Sequence, residues 1–185
     1  GTPGTITNTL LVGFDSAWSY NNQSSDPGAL WMERDFDASA WSNAPAPLGT
    51  MSGTLPLPIR TPLSANGLTT IYFRTDFEVT SKPPQFDLLL TSLIDDGAIF
   101  YLNGREVLRR NMSTGTVTSV TRAITNISTV TMSVPASIPT DVLLIGRNTL
   151  AVEVHQAVTN ASADFMMATR LHITETLAPG TPGEP

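Results

Sequence analysis

The stretch IYFRTDFEV, residues 71–79, alternates apolar and polar side chains almost without a break. Ile71, Phe73, Phe77 and Val79 fall on one side of an extended chain, with Tyr72, Arg74, Asp76 and Glu78 on the other. Successive side chains of a β-strand point to opposite faces, so this period of two predicts a half-buried strand. TLAVEVHQ (149–156) repeats the pattern, with Leu150, Val152 and Val154 inward and Glu153 and His155 outward. FMMATRLHI (165–173) sets Phe165, Met167, Leu171 and Ile173 on one side, and STVTMSV (128–134) alternates Val130, Met132 and Val134. FDLLLTSLI (86–94) and AIFYLNG (98–104) are apolar on both faces, which predicts central strands of a covered sheet.

Short strands separated by Pro, Gly and Asn clusters predict an all-β chain folded as an antiparallel β-sandwich. Asn103-Gly104 predicts a tight hairpin leading into REVLRR. DFDASAW (35–41) and PTDVLLIG (139–146) each suit a helical turn or two, the second stopped by Gly146. The stretch from Leu48 to Leu68, with Pro56, Pro58 and Pro62, is too long for a plain connection and reads as functional or pinned to the sandwich. Residues 1–5 and 177–185 are rich in Pro and Gly and read as linkers, leaving 6–176 as the sandwich domain. The TPG shared by both tails suits a module of a longer chain or a repeating unit.

Only 14% of the 185 residues are charged, against about 25% in an average soluble domain. Thr, Ser, Asn and Gly carry solubility instead, a balance common in secreted β-rich proteins, and an extracellular or cell-surface setting is expected. The net charge of −6 argues against nucleic acid, whose phosphates call for Lys and Arg, and against an anionic membrane surface. Apolar runs such as IFYL are too short for membrane insertion by a helix. The absence of Cys removes disulfides, thiolate nucleophiles and Cys-bound zinc.

WSYNNQSSDPGALW (18–31), FDASAW (36–41), APLG (46–49), YFRTDFEV (72–79), DDGAIFYLNGREVLRRNM (95–112) and NTLAVEVHQ (148–156) follow one another in a family-like order. In that order they resemble the galactose-binding-like jelly-roll domains of large secreted bacterial modular proteins, over residues 12–174. A weaker likeness ties YFRTDFEV and YLNG to the sugar-binding domains of some glycoside hydrolases. The resemblance implies a jelly roll that is not itself catalytic, an extracellular module for glycan binding or surface attachment. Its partner would be a glycan or cell-surface polymer. Met167 and Ala168 stand where the relatives tend to carry Asp and Phe in the last strand. The alternative function is a structural subunit or repeat of an extracellular filament or surface assembly. Neighbouring domains or identical subunits would then join through the terminal segments, with ITNTLLVGF (6–14) pairing to a neighbour's sheet edge.

No Ser nucleophile elbow, Gly-rich phosphate loop or paired-His metal motif occurs, so no enzymatic activity is expected. Glu153 and His155 share a strand face and read as a hydrogen-bonded structural pair. Asp95 and Asp96 are adjacent on an extended chain, so their side chains are expected to diverge, unlike the convergent carboxylates of a glycosidase. No cofactor is required; calcium, which takes about 6 to 8 oxygen ligands, is the ion the acidic loops would suit. Asp95 and Asp96 are one candidate pair for calcium or sugar, as in some adhesin sandwiches. Asp26 and Asp164 are the other, by likeness to domains that bind calcium in an early loop closed by a late strand. The competing reading has Asp96 accept backbone N–H bonds at a strand entrance while Gly97 supplies an unusual backbone angle. Trp18, Trp31 and Trp41 read chiefly as scaffold; Trp31, with Tyr20 close by, is the choice for a sugar-stacking platform.

Overall fold

A computed structural model describes residues 5–23, 26–65, 67–157 and 164–177. These residues form twelve strands and no helix. In chain order they are β1 (Thr5–Val12), β2 (Ala17–Asn21), β3 (Ser42–Pro45), β4 (Leu48–Thr50), β5 (Thr61–Pro62) and β6 (Thr70–Val79). There follow β7 (Asp87–Asp95), β8 (Gly97–Leu102), β9 (Arg105–Arg110), β10 (Ala136–Ile138), β11 (Gly146–His155) and β12 (Phe165–Leu177). One sheet runs β10-β7-β12-β4-β5, with β1 also paired to β12; the other runs β3-β2-β6-β11-β8-β9. The long pairs are antiparallel, and only β4 with β5 is parallel. Thr5 pairs with Leu177 at one end of the β1–β12 ladder, and most of the two Pro/Gly tails lies outside the described residues.

The period-two reading accounts for the core. Phe73, Val152 and Phe100 lie abreast across β6, β11 and β8, while Leu90 and Leu171 lie abreast in the facing sheet. All five are fully buried in one apolar cluster, where each contributes about 1.5–3 kcal/mol by leaving water. Phe73 meets Phe165 across the gap at 6.4 Å between ring centres. Gly49, at φ 155°, lies against β12 so closely that a side chain there would run into the Phe165 carbonyl. β8 and β9 join through Asn103 (φ 53°) and Gly104 (φ 84°), the left-handed pair that a two-residue hairpin requires.

Both outer faces are also covered. Tyr72 and Arg74, read as the solvent side of β6, are 3% and 4% exposed because the segment carrying Trp31, Phe36 and Trp41 packs over them. On the other sheet Leu93, Met166 and Ala168 are buried beneath Val130, Met51, Leu55 and Leu57, so the long proline-bearing connection is pinned to the sandwich.

Two expectations need correction. The stretches 35–41 and 139–146 form isolated turns, closed by Trp41 N–H to Ala38 O (2.9 Å) and Leu143 N–H to Thr140 O (3.3 Å). STVTMSV is not a strand: the ladder beside β7 is β10 against Leu88–Leu90, and residues 128–134 bond β7 beyond it through Ser133. There Ser133 N–H donates to Ser92 O, and Ser92 N–H donates to Ser133 Oγ.

Candidate functional site

Asp95 and Asp96 form the corner between β7 and β8, joined by a cis peptide bond. The Asp96 carboxyl lies near enough to act on Asp95, so the two do not diverge as expected. Asp95 is 1% exposed, and burial first, then the neighbouring Asp96 carboxyl and the charge of Asp164, push its pKa up to about 8. Asp96 accepts Ile127 N–H (2.6 Å) on Oδ1 and Ala157 N–H (2.7 Å) on Oδ2, while its carbonyl accepts Asn111 Nδ2–H. The carboxyl therefore ties two irregular segments to the corner. Gly97 is not in the left-handed region; glycine fits because a Cβ would sit 2.8 Å from Asn111 O and Met112 Sδ.

The charge of Asp164 bears on Asp95, while Asp26 is exposed and accepts Gly28 N–H at 2.9 Å. Among the described residues no three His, Cys, Asp or Glu side chains gather to hold a metal.

His155 is fully buried, with Nδ1 2.7 Å from Thr121 O and 3.0 Å from Thr70 Oγ1, and Nε2 3.2 Å from Glu153 Oε2. Hydroxyl, imidazole and carboxylate thus follow in the order of a nucleophile triad, a partner for His155 that no motif revealed. The roles do not fit. Thr121 O only accepts, so Nδ1 carries the hydrogen and cannot take one from Thr70, whose hydroxyl is placed to donate to Ser119 O. Glu153 Oε1 accepts the Tyr101 hydroxyl at 2.6 Å, completing a buried brace beneath the outer layer.

Trp31 is the clearest departure from expectation. It is 4% exposed, edge-on to Tyr72 (4.9 Å) and Tyr101 (5.6 Å), and its carbonyl accepts Arg74 Nη1–H at 2.7 Å. Such a ring holds the outer layer down and offers no platform. The half-buried ring is Trp41, which stacks on Trp31 at 6.5 Å and 24°. Tyr20, opposite Ser42 in the β2–β3 ladder, is also half-buried. Together Tyr20, Asn21, Asn22, Gln23, Trp41 and Ser42 line a cleft of about 240 Å³. Across the 36–43 turn a second cleft of about 410 Å³ is lined by Ser19, Phe36, Asn43, Arg74 and Asp76. The Arg74 guanidinium lies 5.3 Å over the Phe36 ring and 3.8 Å from Asp76 Oδ1. Burial pulls its pKa down and Asp76 opposes the shift.

No family model matches the sequence, and no curated protein matches it. In fold the chain is similar to parts of larger solved proteins. A β-glucuronidase of Bacteroides uniformis aligns over 91% of this chain and 18% of its own, at TM-score 0.54 and 16% identity. A glycosyl hydrolase family 2 member from Bacteroides cellulosilyticus aligns over 90% and 20%, at TM-score 0.53 and 18% identity. A β-glucuronidase from an uncultured Clostridium species aligns over 94% and 30%, at TM-score 0.55 and 14% identity. At these identities the likeness is one of fold, and the chain spans only a fifth to a third of those proteins.

The sequence singled out Tyr20 for its nearness to Trp31. Trp41 as its partner was not legible, since the two meet only through the β2–β3 ladder.

Proposed function

We propose that this chain is a non-catalytic, extracellular carbohydrate-binding module of a larger protein, of the galactose-binding-like kind, and that it holds a saccharide in the Tyr20–Trp41 cleft. The observation that carries the reading is the joining of two half-buried aromatic rings to three amide side chains in one cleft. Ring faces suit the C–H surface of a pyranose, and amides can both donate to and accept from its hydroxyls. Fold likeness to glycoside hydrolases supports a carbohydrate-related role. Oligosaccharide binding measured by glycan array and titration calorimetry tests it. Trp41→Ala and the double variant Asn22→Ala/Gln23→Ala are each expected to weaken binding about tenfold or more, a loss of at least about 1.4 kcal/mol. Unchanged affinity in the double variant would refute the cleft.

One observation favours a second reading, a subunit of a surface assembly. Among the described residues, β3 and β5 are short and carry proline, β10 has three residues, and β9 carries Arg105, Glu106, Arg109 and Arg110. Short length, proline and charge are the usual guards of a sheet edge. β1 has none of them: it is eight uncharged residues, with Ile6 64% and Leu10 61% exposed. On this reading sedimentation shows oligomers that Thr7→Lys/Thr9→Lys disperses; a monomer at every concentration contradicts it.

A further inference from the structure

Between β7 and the edge strand β9 lies an open cavity of about 230 Å³, bordered by Ile127, Thr131 and Ser133 and lined also by Ser92, Ile94, Asp96 and Arg110. Two of its polar atoms are buried without a partner: Ser92 Oγ, on a residue 1% exposed, and Arg110 Nε. Among the described residues the Arg110 guanidinium makes one hydrogen bond, a long one, Nη2 to Val134 O at 3.4 Å. Among the described residues no carboxylate lies within ion-pair distance of it, and burial alone acts on its pKa, downward. A buried donor left unpaired is costly, and more so on a charged group. The surrounding chain shares this bias. From Val107 to Thr140 there are three Arg and no Asp or Glu, in a protein of net charge −6. Asp96 is the one acid on the wall, and each of its carboxyl oxygens already accepts a backbone N–H.

We infer that this cavity receives an oxyanionic group of a ligand, a carboxylate or a sulfate, on the Arg110 guanidinium with the Ser92 hydroxyl beside it. Ser133 Oγ accepts Ser92 N–H, which leaves its own hydrogen free to donate to the same anion. Ile94 and Ile127 form apolar walls that shield the charge pair and strengthen it. The site is separate from the Tyr20–Trp41 cleft, shares no residue with it and does not depend on the saccharide reading.

The test is titration of the whole chain with sodium glucuronate, sodium sulfate, glucose and, at matched ionic strength, sodium chloride. Amide resonances of Ser92, Ser133 and Asn111 are followed by NMR. Glucuronate, sulfate or both are expected to shift these signals saturably, with glucose and chloride silent; which anion binds more tightly separates the carboxylate from the sulfate source. Arg110→Gln is expected to weaken binding roughly ten- to a hundredfold, the range for a hydrogen bond to a charged group. Ser92→Ala, which leaves the guanidinium in place, is expected to weaken it less, and Arg105→Gln, on an exposed pair with Asp141, not at all. Equal shifts from chloride, no saturable shift with either anion, or undiminished binding in a folded Arg110→Gln would each overturn the inference. If Arg110→Gln does not fold, Ser92→Ala decides it, and unchanged affinity there is equally contrary. Loss of neutral oligosaccharide binding in the cleft variants, with the anion response intact, would leave this site standing.

Discussion

Asp96→Ala is expected to destabilise the fold by about 3–5 kcal/mol, the sum of two charge-assisted hydrogen bonds at about 1.5–3 kcal/mol each with allowance for relaxation. The carboxyl at the β7–β8 corner is the acceptor for Ile127 N–H and Ala157 N–H, so its removal strands two backbone donors in a half-buried setting. Both donors lie in segments without regular structure, which have no ladder to fall back on. Asp96→Asn is expected to recover only part of the loss, since its carbonyl can accept one bond while its NH₂ faces the other donor. Urea unfolding measures both; a loss below about 1 kcal/mol for Asp96→Ala would mean the corner does not depend on this carboxyl.

The second large effect is on pH dependence. Asp95 has a folded pKa pushed up to about 8, chiefly by burial, against about 3.9 in an unfolded chain. The folded state therefore keeps a proton that the unfolded state gives up first. The stability this contributes is complete below about pH 4 and is lost as pH rises towards 8, with a slope of at most about 1.4 kcal/mol per pH unit. Other carboxylates titrate in the same experiment, so the informative quantity is the difference from Asp95→Asn, which keeps a donor in place and cannot ionise. The variant should gain on the native chain steadily between pH 4 and 8 and be the more stable of the two at pH 8. A constant difference across that range would show that Asp95 titrates normally.

The fold was legible because a strand in a sandwich core must alternate, and β6 does so from Ile71 to Val79, with β11 keeping the same period at Leu150, Val152 and Val154. Alternation reports which way a side chain points, not what covers it. Tyr72, Arg74, Glu153 and His155 were therefore assigned to an open face and turn out to be buried, Tyr72 and Arg74 under a second layer built by the Trp31–Trp41 segment and His155 against Thr121. The same blindness promoted Trp31 as a platform, since a flexible approach in sequence says nothing of Tyr72 and Tyr101 waiting across the sheet. STVTMSV alternated without forming a strand: beyond the β10 ladder, which ends at Leu90, it meets β7 only where Ser133 bonds Ser92, and alternation alone does not report such pairing. At the Asp95–Asp96 corner, hydrogen bonding to backbone was foreseen for Asp96, whereas its influence on the Asp95 carboxyl was not.

The central claim is that a saccharide is held between Tyr20 and Trp41 on the β2–β3 edge. The most direct measurement is NMR mapping on the intact chain with an oligosaccharide found to bind on an array. The expected result is saturable shifts confined to residues 19–23 and 40–43 and to the Trp41 indole N–H, with intermolecular contacts from sugar C–H protons to the Tyr20 and Trp41 rings. Shifts clustered elsewhere on the sandwich, with those two rings unmoved, would contradict it.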